Sequence, residues 1–397
     1  MPHVMTVNSG SSSLKFGLFA LGPGDPAPLC TGLIERIGSS GARVHAKSAT
    51  GEPLLDQDAQ TIPNHADALD RVLSFVAGRF PGAEIACVGH RVVHGGPERD
   101  APLELSAETL QELERYAPFA PLHQPANLAG VRAAMSRFPH AAQVACFDTA
   151  FHRHHPWEND TFALPRDLYD KGVRRYGFHG LSYDYIAGHL LQAAPLLHAG
   201  RVIVAHLGNG ASMCGMLGGR SVGSTMGFSA LDGLPMGTRC GQLDPGVVLY
   251  LMEQEGMGAS EISDLLYKKS GLLGLSGLSN DMRTLEAAGT QEARQAIRYF
   301  TFRIRRELGA LAAVLGGLDA VVFTGGIGEN SAHVRAEVCA GMAWIGLEVD
   351  PDANAANMGE ISSGLSRVRV LVIPTNEELV IARAAAKTAR ARETETA

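Results

Sequence analysis

The sequence predicts an α/β protein of two similar domains with a cleft between them, and three observations carry the prediction. The run VMTVNSGSSSLK, Val4–Lys15, is an apolar strand that crosses a turn of glycine and serines and resumes as a second strand, LKFGLFA. RVIVAHLGNGASMCGMLG, Arg201–Gly218, repeats that arrangement near the middle of the chain. Turns of this composition hold several backbone N–H groups toward one point and let a phosphate approach them. Each hairpin is followed by strands alternating with helical segments, the order of an α/β fold, and 397 residues exceed what one hydrophobic core usually organises.

In the first half, strands are expected near Val4–Val7, Leu14–Ala20, Ile85–Val93 and Gln143–Phe147. A helix is expected over Asn64–Phe80, with apolar residues at 69, 72, 73, 76 and 80, and another over Asn127–Phe138, with apolar residues at 128, 131, 135 and 138. Gly22–Thr61, rich in Gly, Pro, Ser and Asp, reads as an extension of weaker regularity. The second half opens with the Arg201–Gly218 hairpin. Asp244 before Pro245 marks a helix start, since aspartate caps the first N–H groups and proline fits the first turn. The clearest helix has Ala293, Ile297, Phe300, Ile304, Leu308, Leu311 and Leu315 on one stripe, with Arg298, Arg303, Arg305, Arg306 and Glu307 on the other face, which reads as solvated or as an interface. DAVVFTGGIGEN is a buried strand ending at Thr324 in glycine-rich chain, and VRVLVIPTNEEL is a strand ending near Pro374 before a last helix. The division expected is 1–150, completed by a helix over about 378–397 that returns to the first domain, and 151–377, with the boundary near Phe151.

A net charge of −7, from 34 Lys plus Arg against 41 Asp plus Glu, argues against a nucleic-acid partner, which needs a concentrated basic surface. No run of apolar residues is long enough to span a membrane, and no secretory leader is evident, so no membrane partner and a cytoplasmic location are expected. The six cysteines lie far apart without a CxxC pair, several inside apolar strands, and no disulfide framework is expected.

No GxxxxGK[ST] loop, dinucleotide fingerprint or HExxH motif is present. His152, His154 and His155 lack Cys or acidic neighbours at metal-ligand spacing. Charged residues nonetheless sit at strand ends, where open α/β sheets present ligands: Arg91 in GHRVVHGG, Asp148 in ACFDTAFH, His179 in YGFHGLSY and Arg239 in MGTRCG. Long charged side chains beside glycine turns need a partner when buried, and a small phosphoryl or carboxylate ligand supplies one. In PTNEEL, Thr375 and Glu378 stand at capping-box spacing, which leaves Glu377 as the freer carboxylate for Mg²⁺.

Taken in order, VNSGSSSLK, HRVVHGG, CFDTAFH, RRYGFHGLS, HLGNGASM, STMGF, MGTRCG, FTGGIGEN and PTNEEL are similar to the motifs of the acetate kinase family, over essentially the whole chain. The resemblance implies duplicated actin-like (ribonuclease H-like) ATPase domains, each on a mixed five-stranded sheet, and a homodimer whose interface lies in the C-terminal domain. It implies reversible phosphoryl transfer between ATP and acetate, giving acetyl phosphate and ADP, with Mg²⁺ or else Mn²⁺. By the same resemblance Asn8 lies near the phosphates and, with Glu377, near the metal. Arg91 and Arg239 match the arginines at the carboxylate and the transferring phosphoryl group, Asp148 the essential acidic residue, and His179 the histidine that stabilises the transition state. Lys15, His206, Leu207, Gly208, Asn209, Gly210, Asp281, Met282, Arg283, Gly325, Gly326, Ile327, Gly328, Glu329 and Asn330 fall in nucleotide-contacting stretches, and Val93, Leu122 and Phe178 in the pocket for the methyl group.

One departure stands out. The family commonly reads FTPLEGL before the MGTR motif, whereas this chain reads FSALDGL, with Ala230 where proline is usual. Loss of a ring widens a pocket, so propionate is expected to be accepted better than in a proline-containing relative. The other readings are a propionate kinase and a non-catalytic nucleotide sensor; a sensor needs the nucleotide contacts but no acetate pocket.

Overall fold

The computed structural model describes residues 2–10, 12–121 and 123–396. Its contacts divide into two units, Met1–Arg153 with Asn376–Ala397, and His154–Thr375.

The first unit contains β1 (Pro2–Ser9), β2 (Ser13–Ala20), β3 (Ala27–Glu35), β4 (Ser40–Ser48), β5 (Pro53–Thr61), β6 (Glu84–Val92), β7 (Leu103–Glu104) and β8 (Ala142–Phe147). They form one sheet in the order β5-β4-β3-β2-β1-β6-β8-β7. The second unit contains β9 (Arg201–Leu207), β10 (Ala211–Leu217), β11 (Arg220–Ser224), β12 (Ala320–Thr324) and β13 (Arg369–Val372), ordered β11-β10-β9-β12-β13. In β3-β2-β1-β6-β8 the successive pairings are antiparallel, antiparallel, parallel, parallel. The second sheet repeats that sequence of pairings. The duplication read from the two hairpins is therefore a duplication of sheet topology, and the first sheet carries β4, β5 and β7 in addition.

The stretch Gly22–Thr61 is more regular than expected, because it supplies β3, β4 and β5. Its apolar face is made of alternate, mostly small residues: Ala42, Val44 and Ala46 are buried while Arg43 and Lys47 face out. Period-two alternation decides a strand even where glycine and proline dominate the composition. With Phe16, Ile34, Leu69 and Val72 these residues form the core between the sheet and the helix His65–Arg79. The helix Glu377–Thr396 packs against β1, β6 and β8.

In the second unit the helix Gln291–Leu315 buries the expected stripe; Thr290 accepts the Ala293 N–H at its start, and Gly316 at φ 68° closes it. Arg303, read as part of the outer face, is instead buried, donating to Tyr299 Oη (3.0 Å) and Gln242 Oε1 (2.9 Å). These polar acceptors on neighbouring residues make burial of a guanidinium tolerable. The helix Pro245–Glu253 starts at Asp244, whose carboxylate accepts the Gly246 N–H, and buries none of its residues.

Candidate active site

In the first unit, functional side chains gather at the C-terminal ends of the parallel strands. β6 and β8 pair Arg91 with Cys146 and Val92 with Phe147, which sets Asp148, the residue after β8, beside Arg91. Arg91 Nε donates to Asp148 Oδ1 (2.8 Å) and Nη2 to Oδ2 (2.6 Å), a two-pronged pair that fixes the guanidinium plane and leaves Nη1 outside the fork. Asp148 is buried and the Arg91 side chain is 21% exposed. Burial opposes the charge on Arg91, but Asp148 first and Glu377 next overcome it, so the arginine pKa is raised and the group stays a cation.

The backbone around Arg91 is held by two buried amides on the helix Gln124–Arg137. Asn127 Oδ1 accepts the Val93 N–H (3.0 Å) while its Nδ2 donates to the Ser9 carbonyl (2.5 Å). Gln124 accepts the His94 N–H and donates back to the His94 carbonyl, each at 3.0 Å. The helix comes this close because of Gly130, where a Cβ would lie 2.2 Å from Ser9 Oγ. Asn8 is half-buried in β1 opposite Lys15. Lys15 pairs with Glu378 Oε1 at 3.4 Å, and Thr6 Oγ1 donates to Glu378 Oε2 at 2.7 Å. The capping box expected of Thr375 and Glu378 is therefore absent: Glu378 is drawn into the first hairpin, and the helix start is capped by Asn376 Oδ1, which accepts the Leu379 N–H. A buried carboxylate that accepts a hydroxyl and faces an ammonium outcompetes a solvent-facing cap.

In the second unit, His179 sits in the left-handed region (φ 57°, ψ 25°) at the start of the helix Gly180–Ala193. Such a backbone costs a non-glycine residue about 1–3 kcal/mol and is retained where the surroundings fix it. Its ring stacks on His206 with centroids 4.4 Å apart, and its Nδ1 lies 2.8 Å from Ser212 Oγ; His206 Nδ1 lies 2.8 Å from Ser182 Oγ. A Cβ on Gly210 would stand 2.9 Å from Arg239 Nη2 and 3.2 Å from His179 Nε2. The HLGNG turn thus brings bare backbone up to a guanidinium and an imidazole in one small space.

Arg239 is carried by a loop pinned by the helix Gly271–Ser276: the Leu272 and Leu273 N–H groups donate to the Met236 and Gly237 carbonyls. Arg239 Nη1 donates to the Ala230 carbonyl at 2.6 Å, so the unusual alanine orients this arginine through its backbone. β12 and β9 pair Thr324 with His206, which places Gly325–Asn330 beside the HLGNG turn. The glycine-rich chain after β12 forms a short helix, Gly325–Asn330. Glu329 Oε1 accepts the N–H groups of Gly325 (2.9 Å) and Thr375 (3.2 Å), and the buried Arg335 donates to the carbonyls of Gly328 and Glu329. Asp281 caps the helix Met282–Ala288 and pairs with Arg283 at 2.9 Å, which holds its carboxyl down at about 2. Both line a surface hollow of about 750 Å³ with Leu278 and Thr284, while the Met282 side chain is buried.

A profile of the acetokinase family matches residues 3–383. The chain belongs to the acetokinase family. It is 59% identical to the acetate kinase of Methylocella silvestris, over 96% of each chain, and 51% identical to that of Rhodopseudomonas palustris strain TIE-1, again over 96% of each. Among solved structures it is similar to Porphyromonas gingivalis acetate kinase (TM-score 0.85, 40% identity, 98% of this chain and 99% of that one). It is also similar to a propionate kinase from Francisella tularensis (TM-score 0.90, 36% identity, 98% and 100%). The duplicated actin-like architecture is that of this family.

Within this acetokinase chain, Asn8, Arg91, Val93 and Asp148 fall in the first unit, with Lys15 and Glu377. Phe178, His179, Arg239, His206–Gly210, Asp281–Arg283 and Gly325–Asn330 fall in the second. Leu122 lies outside the described residues. Val93 and Phe178 are both buried. Sequence reasoning missed Gln124, Asn127, Ser212, Tyr183 and the clamping role of Glu329. A signal existed for the first two: polar residues three apart on a helix face that otherwise continues the apolar stripe.

Proposed function

We propose that this chain transfers the γ-phosphoryl group of ATP reversibly to acetate, giving acetyl phosphate and ADP by direct in-line displacement. The observation that carries the proposal is the state of Arg91: a mostly buried, permanently charged guanidinium, locked by Asp148, with Nη1 outside the lock. That is a receptor for one small carboxylate, in a chain whose relatives are named acetate kinases. Acetate binds with its carboxylate at Arg91, and the family resemblance assigns its methyl group to apolar residues that include the buried Val93. One carboxylate oxygen forms a bond to the γ-phosphorus as the bond to the β,γ-bridging oxygen breaks, and ADP leaves on the opposite side. Acetate is already an anion at neutral pH and surrenders no proton, so Asp148 acts by holding Arg91 rather than as a general base. Arg239 and His179 donate to the equatorial phosphoryl oxygens, where charge accumulates. His206–Gly210, Asp281–Arg283, Gly325–Asn330 and Lys15 contact the nucleotide.

Asn8 and Glu377 are oxygen donors of the kind Mg²⁺ takes in pairs, with phosphates and water completing its shell. Ser9 Oγ, next to Asn8 in sequence, is buried without a hydrogen-bond partner among the described residues, which suits a polar, hydrated ligand nearby. When bound, Mg²⁺ (or Mn²⁺) neutralises charge on the β- and γ-phosphates.

The protein acts as a homodimer joined through its second unit; the reading is supported by the helix Pro245–Glu253, which exposes Val247, Leu249, Tyr250 and Met252 together. A monomer by light scattering would remove that part. The six free thiols suit the cytoplasm.

The deciding experiment is Mg²⁺-dependent acyl phosphate formation, trapped with hydroxylamine, using ATP with acetate, propionate or butyrate at matched concentrations. Acetohydroxamate as the leading product supports the proposal. ATP binding without acyl phosphate would favour a sensor, and a lead for propionate would favour a propionate kinase.

A further inference from the structure

His179 does not stand alone beside the HLGNG turn. Behind it, Ser212 Oγ lies 2.8 Å from His179 Nδ1 and 2.5 Å from the phenolic oxygen of Tyr183, and Ser212 and Tyr183 are both wholly buried. A serine hydroxyl has one proton to give and two lone pairs to receive. Three arrangements fit these distances. The histidine is charged and donates to Ser212; or it is neutral with its proton on Nδ1, again donating to Ser212; or it is neutral with its proton on Nε2, and Ser212 donates to Nδ1.

The surroundings separate the three. His179 Nε2 and Arg239 Nη2 both lie about 3 Å from one point, the place a Gly210 Cβ would occupy, and His206 stacks on the same ring. The guanidinium beside Nε2 disfavours a second full charge on the ring. Phosphoryl oxygens only accept, so the tautomer with a bare Nε2 would face the substrate with a lone pair. Tyr183, sealed in the core, stays a phenol, since burial raises its pKa well above 10, and it has an O–H to give. With Tyr183 donating to Ser212, the serine proton is left for Nδ1.

We infer that Tyr183 and Ser212 form a buried hydrogen-bond relay that fixes His179 as the neutral Nε2–H tautomer and aims that N–H at the transferring phosphoryl group. Both are positioning residues; neither touches substrate. Left-handed backbone at His179 and the stack on His206 fix the ring plane, and the relay fixes the proton. In catalysis generally, a residue that selects a histidine tautomer governs turnover without governing substrate affinity.

The inference rests on the acetate kinase reading for the group that receives the N–H, and so for the choice between the two neutral tautomers; its test does not. The full chain is labelled with ¹⁵N-histidine and the ring signals of His179 are assigned by their loss in His179→Gln. In the wild type at neutral pH, Nε2 is expected to read as protonated and Nδ1 as a bare, hydrogen-bonded nitrogen. Tyr183→Phe leaves the serine proton undirected, and a mixture of tautomers is expected together with a fall in kcat of about tenfold or more at nearly unchanged KM for acetate. Ser212→Thr, which keeps the hydroxyl, is expected to retain the wild-type tautomer, whereas Ser212→Ala loses it. An imidazolium or an Nδ1–H signal in the wild type overturns the relay, whether or not the variants fold. An unchanged tautomer in folded Tyr183→Phe and Ser212→Ala overturns it as well. Absence of acyl phosphate formation with the expected tautomer present would overturn the kinase reading and leave the relay standing.

Discussion

Where β6 of the first sheet carries the guanidinium of Arg91 near its C-terminal end, the equivalent strand of the second sheet, β12, runs into the glycines of Gly325–Asn330. The same contrast holds one strand away on either side. β1 ends at Asn8 and Ser9, and β9 at His206 and Leu207 before a glycine turn; β8 is followed by the buried Asp148, and β13 by a segment whose Thr375 N–H is taken by Glu329. Two sheets with one topology have been given different chemistry at corresponding ends. On the proposed reading, the first sheet meets a small acceptor with fixed charge, and the second meets a polyphosphate with space and backbone N–H groups. The topology dictates where ligand groups can be placed, and the strand-end residues decide which ligand it is.

That contrast can be broken most severely at Arg239. Arg239→Ala is expected to lower kcat by about 10²–10³ with a smaller change in KM for acetate, measured by steady-state kinetics. A loss confined to KM would assign Arg239 to the acceptor instead. Arg91→Ala should do the reverse, raising the KM for acetate about a hundredfold, with circular dichroism confirming the fold because Asp148 loses its partner. An unchanged KM would remove Arg91 from the acceptor site.

Acid should distinguish the two units. Burial pushes His90 down to about 4 and His94 to about 3, and both flank Arg91 in the first unit. Since these folded values lie below the ordinary histidine value of 6.5, the unfolded chain binds the protons first. Stability is therefore lost as pH falls from about 6.5 toward 4, by about 2 kcal/mol per histidine between pH 7 and pH 5. Hydrogen exchange followed on peptides from β6 and β12 should show protection at β6 falling more; equal losses would count against buried neutral histidines as the cause.

Asn127→Ala strips acceptor and donor from Val93 and Ser9 at once and is expected to cost about 1–3 kcal/mol in denaturant unfolding. No change in the midpoint would mean that water replaces the amide. The smallest effect is reserved for Ala230→Pro. It should raise the acetate-to-propionate ratio of kcat/KM by a few-fold, within the ~1–3 kcal/mol that one methylene is worth, and an unaltered ratio would show that this position does not shape the pocket.

Much of this was legible beforehand because it rests on local pattern. The hairpins announced β1–β2 and β9–β10 through their alternation of apolar strand and small-residue turn, and Arg91 and Asp148 stood out as charges in apolar strands. Gly22–Thr61 was misjudged because composition was weighed above its alternation of Ala42, Val44 and Ala46 with polar neighbours. The Thr375–Glu378 capping box failed for a deeper reason: spacing shows which bonds are geometrically available, while the competing bond to Thr6 comes from the far end of the sequence. Ser212 and Tyr183 belong to the same class, as does the bond of Glu329 to Thr375: partners set by tertiary packing alone.

The return of Glu378 to Thr6 and Lys15 also has a consequence for the order in which the protein can be made. Its first unit is written in two instalments, and the second, from Asn376 onward, supplies a core helix and the buried carboxylate that anchors the opening hairpin. The second unit is continuous and can complete its sheet while synthesis proceeds. During translation, then, the part that starts first finishes last, and the strand bearing Arg91 waits for the helix that covers it.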